Sequence, residues 1–356
     1  MKKQTLYGVC ILMAALCACS QTPASTPSTG NDVAFSVSPS LEQGASNDLR
    51  MLSSESEAGR YRTEETDQGQ LFAYIDYAQA VEVPLCASPS CAHNGESCTA
   101  WTAPEAFVTC PVFLNESSVA FIHTAEGSAP TIQSMPLGGG ERRVLFSAQE
   151  GDFIETLLCT DNDMLYFIVN QVRPGSSELW LYQVSADGTN AKAVRQLPAP
   201  MIEFKGIEGR SLVCYAYEWA DVPEGEPTWG SHRVFLWNID TGEEQEIDAW
   251  ESQEGSSGRT LLWHEGKLYW CSYDEPDAIH WKALDKSTGE IPVSWPQEIL
   301  DAEETTFVLD AIVEEHALLT VWGPWGTDLL KRYAVNLDTP NSAATEIPLR
   351  YVSNAS

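Results

Sequence analysis

Residues 179–197 read LWLYQVSADGTNAKAVRQL. Aromatic and β-branched residues alternate with polar ones, Asp187 and Gly188 mark a tight turn, and a second short run follows. Alternation broken by such a turn is a β-hairpin pattern, not a helical one. The pattern recurs along the chain. It is found as LFAYIDYAQAVEVPL (71–85), TIQSMPLGGGERRVLF (131–146), VFLWNIDTGEEQEI (234–247), IHWKALDKSTGEIPV (279–293) and LLKRYAVNLDTPNSAATEI (329–347). The turns fall near Ala78, Gly139, Gly188, Gly242, Gly289 and Thr339, so 61 residues separate the first two and 47 to 54 the others. A length of 356 residues alone suggests two domains. Self-similarity at a period of about 50 residues overrides that prior.

Several units carry a second hairpin ahead of the first: TLLCTDNDMLYFIVN (156–170), LLWHEGKLYWCSYD (261–274) and FVLDAIVEEHALLTVWG (307–323). DAEETTFVLDAIVEEHALL (301–319) reads as a helix in isolation, but its register within the repeat predicts strands. Four strands per unit and six units predict an all-β fold, a β-propeller of six four-stranded blades. One blade cannot bury both of its faces, so neighbours must stack, and six let the ring close. The first blade is expected to take its inner strands from NDLRMLS (47–53) and GRYRTEE (59–65). Seven blades, or a closing strand from VAFSV (33–37), are the alternatives.

The chain starts with Lys2 and Lys3, then an apolar run, TLYGVCILMAAL (5–16). A run of about 12 is too short for a bilayer, which needs roughly 20, and suits a secretion signal. Leu16, Ala18 and Cys19 resemble the lipobox of bacterial lipoproteins. The resemblance implies a signal peptide over 1–18 and an acylated Cys19 holding the protein at the extracytoplasmic face of the membrane; composition then predicts a tether over 19–45, and the repeats predict a propeller over 46–352. Two or more acyl chains make such an anchor stable. The tether, rich in Ser, Thr, Pro and Gly, buries too little apolar area to offset its ordering entropy. The formal charge of −31 repels phosphate backbones, which argues against a nucleic-acid partner.

LCASPSCAHNGESC (85–98) places three cysteines and a histidine in one short stretch. It falls in the one long interval between turns, so a Cys/His-containing insertion is expected at about 86–101, between the first two blades. Three readings stay open. Cys86, Cys91, Cys98 and Cys110 allow three disulfide pairings, in an exported protein where disulfides persist. Cys86, Cys91, His93 and Cys98 suit one tetrahedral structural Zn²⁺, with Cys91 and His93 facing one way if that segment is extended. The third reading is free thiols. Cys159, Cys214 and Cys271 lie within strand patterns and are expected to be buried as small apolar residues.

The hairpin LYQVSADGTNAKAVRQL (181–197 with Asp187 and Gly188 at its turn) resembles the outer hairpin of TolB-like six-bladed propellers. Leu85, Cys86, Pro89, Cys91, His93 and Cys98 resemble a motif, L-C-x-x-P-x-C-x-H-x-x-x-x-C, of surface lipoproteins of anaerobic Gram-positive bacteria that carry such a propeller. This resemblance implies a fold and an address, and no substrate. An anaerobic habitat, implied in the same way, shifts weight from disulfides to metal.

Ligand contacts are expected on the loops at one face of the ring. These supply Trp219, Asp221, Glu224 and Trp229, then Tyr273, Asp274, Trp322 and Trp325. Rings beside carboxylates suit sugars or cations. The sequence holds no G-x-S-x-G elbow, no H-E-x-x-H and no P-loop. A non-catalytic scaffold that binds a protein, peptide or glycan is therefore expected. The alternative is an extracellular enzyme acting on carbohydrate or peptide through carboxylates on that face.

Overall fold

The computed structural model describes residues 48–347, apart from 57, 67, 89, 162–163, 221–228, 254–257, 274–276, 301–304 and 324–328. The expected signal peptide, Cys19, the tether and the VAFSV strand lie outside the described residues.

The described chain is almost entirely β, arranged as six sheets in chain order, antiparallel except where Val293 and Ser294 of the fifth pair in parallel with Ser342 and Ala343. The first holds Glu55–Ser56, Gly59–Thr66, Gly69–Asp76 and Val81–Pro84. The second runs from Ala106–Asn115 through Ser118–Ala125 and Thr131–Pro136 to Arg143–Ser147. The third holds Phe153–Asp161, Met164–Arg173, Ser176–Ser185 and Lys192–Gln196. The fourth holds Ile202–Glu208, Ser211–Trp219, Trp229–Asn238 and Glu244–Gln253. The fifth holds Arg259–His264, Lys267–Ser272, Ala278–Ala283 and Thr288–Ser294. The sixth holds Thr306–Val313, His316–Trp322, Leu329–Asn336 and Thr345–Ile347. The segment that could pass as a helix thus contributes two paired strands, Phe307 opposite Val321. Gln297–Leu300 forms one short helix.

Each sheet is a meander, its successive strands lying side by side. Gly188 (φ +74°) and Gly139 (φ +87°) hold left-handed turns at two of the repeat positions. Packing then follows the alternation, since each central strand sends odd and even residues to opposite faces. Leu212 and Cys214 face the third sheet, while Val213 and Tyr215 face the fifth. Five apolar cores result, one between each pair of consecutive sheets. Phe72, Phe113 and Phe121 lie between the first and second, Leu145 and Phe167 between the second and third. Trp237 lies in the core between the third and fourth, Leu268 between the fourth and fifth, and Phe307 and Tyr333 between the fifth and sixth. Cys159, Cys214 and Cys271 are buried in these cores, as expected.

The segment expected as an inner strand of the first unit goes elsewhere. Residues 49–54 form a strap across four sheets. Leu49 N donates to Gly209 O (3.1 Å), and Arg50 and Met51 pair with Thr160 and Cys159 of the third sheet. Leu52 N donates to Leu158 O, Phe113 N donates to Ser53 O, and Tyr61 N donates to Ser54 O. A run this short has no alternation to fix its face, so it settles where leading strands leave backbone groups to be satisfied. GRYRTEE does lie in the first sheet.

Candidate metal centre

The Cys/His stretch grows out of the middle of a strand, not from between two sheets as expected. Val81–Pro84 pairs along Gly69–Asp76, with Pro84 opposite Ala73. Leu85 N then donates to Phe72 O (2.9 Å), and Phe72 N donates to Ala100 O (2.8 Å). Trp101 and Thr102 continue the register opposite Leu71 and Gln70. Residues 86–99 are therefore a loop that leaves and rejoins one strand at the single position opposite Phe72. Such an excursion has little core of its own and needs a clasp at its neck. Cys86 and Cys98 stand at that neck.

Neighbours fix the neck. Leu85 and Ala100 are fully buried, and Cys98 is 3% exposed. Gly139, in the turn of the second sheet, lies so close that a Cβ there would sit 2.3 Å from the Leu85 carbonyl carbon. Arg142 reaches back from the second sheet. Its Nε donates to Thr99 O (2.8 Å), and its Nη2 to Trp101 O and Thr102 Oγ1 (both 3.1 Å).

Within the loop, one ligand atom from each of Cys86, Cys91, His93 and Cys98 lies within 4.8 Å of every other. Donor atoms around a tetrahedral Zn²⁺, with Zn–S about 2.3 Å, stand a little under 4 Å apart, so the set fits such an ion. His93 Nδ1 is 3.4 Å from Cys98 Sγ, and His93 N donates to Cys91 Sγ at 3.4 Å. The segment is not extended there, because His93 has φ +55°. A turn closed by that N–H···S contact, not strand alternation, brings Cys91 and His93 together.

Cys110, a disulfide candidate by sequence, is not in this group. It belongs to Ala106–Asn115, at a bulge between Thr109 and Val112, and packs on the core between the second and third sheets. All seven cysteines of the described residues are free. The pairing scheme that used Cys110 is thereby corrected: its strand carries it to the other side of the second sheet.

The thiols compete for charge. Burial pushes Cys86 up, but hydrogen bonds at the Ser88 backbone and from the Cys98 and Cys91 thiols outweigh it, leaving its pKa below the usual thiol value. Cys98 is pushed up to about 11 by burial, with the Cys91 and Cys86 sulfurs adding to the shift. Three sulfurs this close cannot all ionise unless a cation sits among them. Burial lowers the pKa of His93, which favours the neutral imidazole that a metal needs.

The expected binding face is partly visible. Asp221, Glu224, Asp274 and Trp325 lie outside the described residues, as does the Trp229 side chain. Trp219 (42% exposed) lies over Gly230, its cross-strand partner, and meets His232 edge-on with centroids 5.8 Å apart. Tyr273 packs over Gly258 at the edge of the fifth sheet, its N–H donating to Gly258 O (3.0 Å). Trp322, partly buried, belongs to the sixth sheet.

Sequence reasoning missed His232. Its Nδ1 is 2.8 Å from Tyr215 Oη, its Nε2 is 2.6 Å from Ser252 Oγ, and its ring stacks on Trp250 at 5.1 Å. A serine beside a histidine suggests a nucleophile and its base. Here the orienting partner is a phenol, and burial together with Arg259 lowers the His232 pKa, which opposes an imidazolium. The trio reads as a hydrogen-bonded packing element. Only strand pairing over 17 and 20 residues assembles it, so no local motif marks it.

No family model and no curated protein matches the chain. Among solved structures, it is similar to an uncharacterised protein of Listeria monocytogenes EGD-e, at 11% identity over 85% of each chain and a TM-score of 0.47. It is also similar to TolB from Acinetobacter baumannii (11% identity, 84% of this chain and 66% of that one, TM-score 0.35). A third is an oligogalacturonate lyase in complex with manganese (10% identity, 84% and 78%, TM-score 0.40).

Proposed function

We propose that this chain is a lipid-anchored, extracytoplasmic binding scaffold whose Cys/His loop is held by one structural Zn²⁺. Acylated Cys19 and the tether over 19–45 hold it at the membrane, and the six sheets close as the blades of a β-propeller. Its ligand is a protein, peptide or glycan met on the loop-rich face. The observation that carries the metal reading is the convergence of Cys86, Cys91, His93 and Cys98 at the neck of an otherwise unsupported excursion. Three thiolates and an imidazole are a soft, tetrahedral donor set, which suits Zn²⁺ better than Mg²⁺ or Ca²⁺. A disulfide would use two of the sulfurs and leave the third, and His93, without a role. With all four positions filled by protein, the ion would have no open site for substrate, so its role is structural.

The scaffold reading is supported by the absence of reaction motifs in the sequence and by a His232 environment that opposes general-base work. Elemental analysis of chain purified without added metal tests the metal. One equivalent of zinc, lost in His93→Ala, is expected. Cysteines two hydrogens lighter by intact mass, with no metal, refute it. Glycan arrays and pull-downs test binding; turnover on hydrolase panels, with no ligand found, would reject the scaffold in favour of an enzyme.

A further inference from the structure

Resting on the metal reading, we infer that Arg142 is the counter-charge of the metal centre, its guanidinium balancing the one negative charge that three thiolates and a neutral imidazole leave around a divalent ion. Arg142 lies partly buried over the Phe121 ring, 5.4 Å from its centroid. Its guanidinium hydrogen bonds go to neutral oxygens: Thr99 O, Trp101 O and Thr102 Oγ1. Among the described residues no carboxylate pairs with it within 4.0 Å, in a chain with 51 acidic residues against 20 Lys and Arg. Glu96 and Glu141 line the same open groove of about 600 Å³, together with Cys86, Cys98 and Arg142, but neither forms that pair. A cation drawn in from water needs a counter-charge. The candidate is Cys98, which lines the same groove and is the neighbour of Thr99, whose carbonyl Arg142 holds; as a thiolate it would oppose the lowering that burial imposes on Arg142.

Charge counting then selects the ion. With three thiolates, a monovalent metal leaves two negative charges and a trivalent one leaves none. Only a divalent ion leaves the single charge that one guanidinium matches. Arg142 thus acts through the ligands, as a positioning and charge-balancing residue across the junction of the first two sheets. Groups in this outer position typically change metal affinity by about 10- to 100-fold.

The test is a double-mutant cycle on the purified full chain, reading Zn²⁺ affinity by competition with a chromophoric chelator. In the native background, Arg142→Gln is expected to weaken Zn²⁺ binding at least tenfold, and Arg142→Lys, which keeps the charge, by much less. Cys91→His makes the centre neutral by replacing one thiolate with an imidazole. In that background Arg142→Gln should cost no more than about twofold, the scatter of independent sites. Equal losses in both backgrounds, no loss in the native one, or Arg142→Lys as weak as Arg142→Gln would overturn the charge role. If Arg142→Gln alone fails to fold, the Cys91→His/Arg142→Gln pair should fold and bind; an equally unfolded pair overturns the inference. A native chain that takes up no divalent metal refutes the metal reading itself, a result distinct from all of these.

Discussion

Stripping the metal should unclasp residues 86–99 while leaving the six sheets in place. The magnitude follows from the loop. A link between Cys86 and Cys98 closes a loop similar in length to the 15-residue case, for which cross-linking contributes about 3 kcal/mol. Unfolding entropy of about 2.1 cal/mol/K per residue gives roughly 0.6 kcal/mol/K for some 300 folded residues. The loss therefore lowers Tm by about 5 °C. Thermal melts of the full chain would be compared as purified, after dialysis against a chelator with reductant, and after return of one equivalent of Zn²⁺. Recovery should be complete, because the rest of the first sheet keeps its register without the loop. A stripped protein melting within about 1 °C of the loaded one would refute the clasp. So would full stability, without metal or reductant, in a chain two hydrogens lighter.

Other outcomes follow from single side chains. Cys98→Ser should abolish metal uptake, while Cys110→Ser leaves its stoichiometry unchanged, as elemental analysis would show, because Cys110 packs in a different core. Gly139→Ala should destabilise by more than about 2 kcal/mol in denaturant melts, since it adds left-handed strain at φ +87° to a clash with the Leu85 backbone. The His232 pKa is lowered by burial and by Arg259. The unfolded chain therefore binds the proton first as pH falls. Stability from a neutral His232 is complete above about pH 6.5 and is lost below it, toward the lower folded pKa. Tm measured from pH 7.5 to 5.5 should fall more steeply for the native chain than for His232→Gln.

Much of the fold could be read locally. Alternation and turn residues recurring every 50 residues or so gave strands, hairpins and units. In LWLYQVSADGTNAKAVRQL the pairing of Leu181 with Arg195 is decided by the turn between them. The strap was not legible, because Arg50 and Met51 pair with residues more than a hundred positions away and carry no period. The Cys/His cluster was half legible. Its residue types stood out, but not its exclusion of Cys110 nor the turn at His93.

Sequence alone therefore determined an all-β chain of repeated meanders and named the four side chains that converge at the loop. Spacing between neighbouring residues encodes strand faces and turns, and these need no distant partner. Only the tertiary structure decided that the loop interrupts one strand opposite Phe72, that Gly139 and Arg142 of the next sheet brace it, and that Cys110 points away. The bracing contacts of Gly139 and Arg142 join residues some 40 to 54 positions apart, and they exist only once two sheets have stacked.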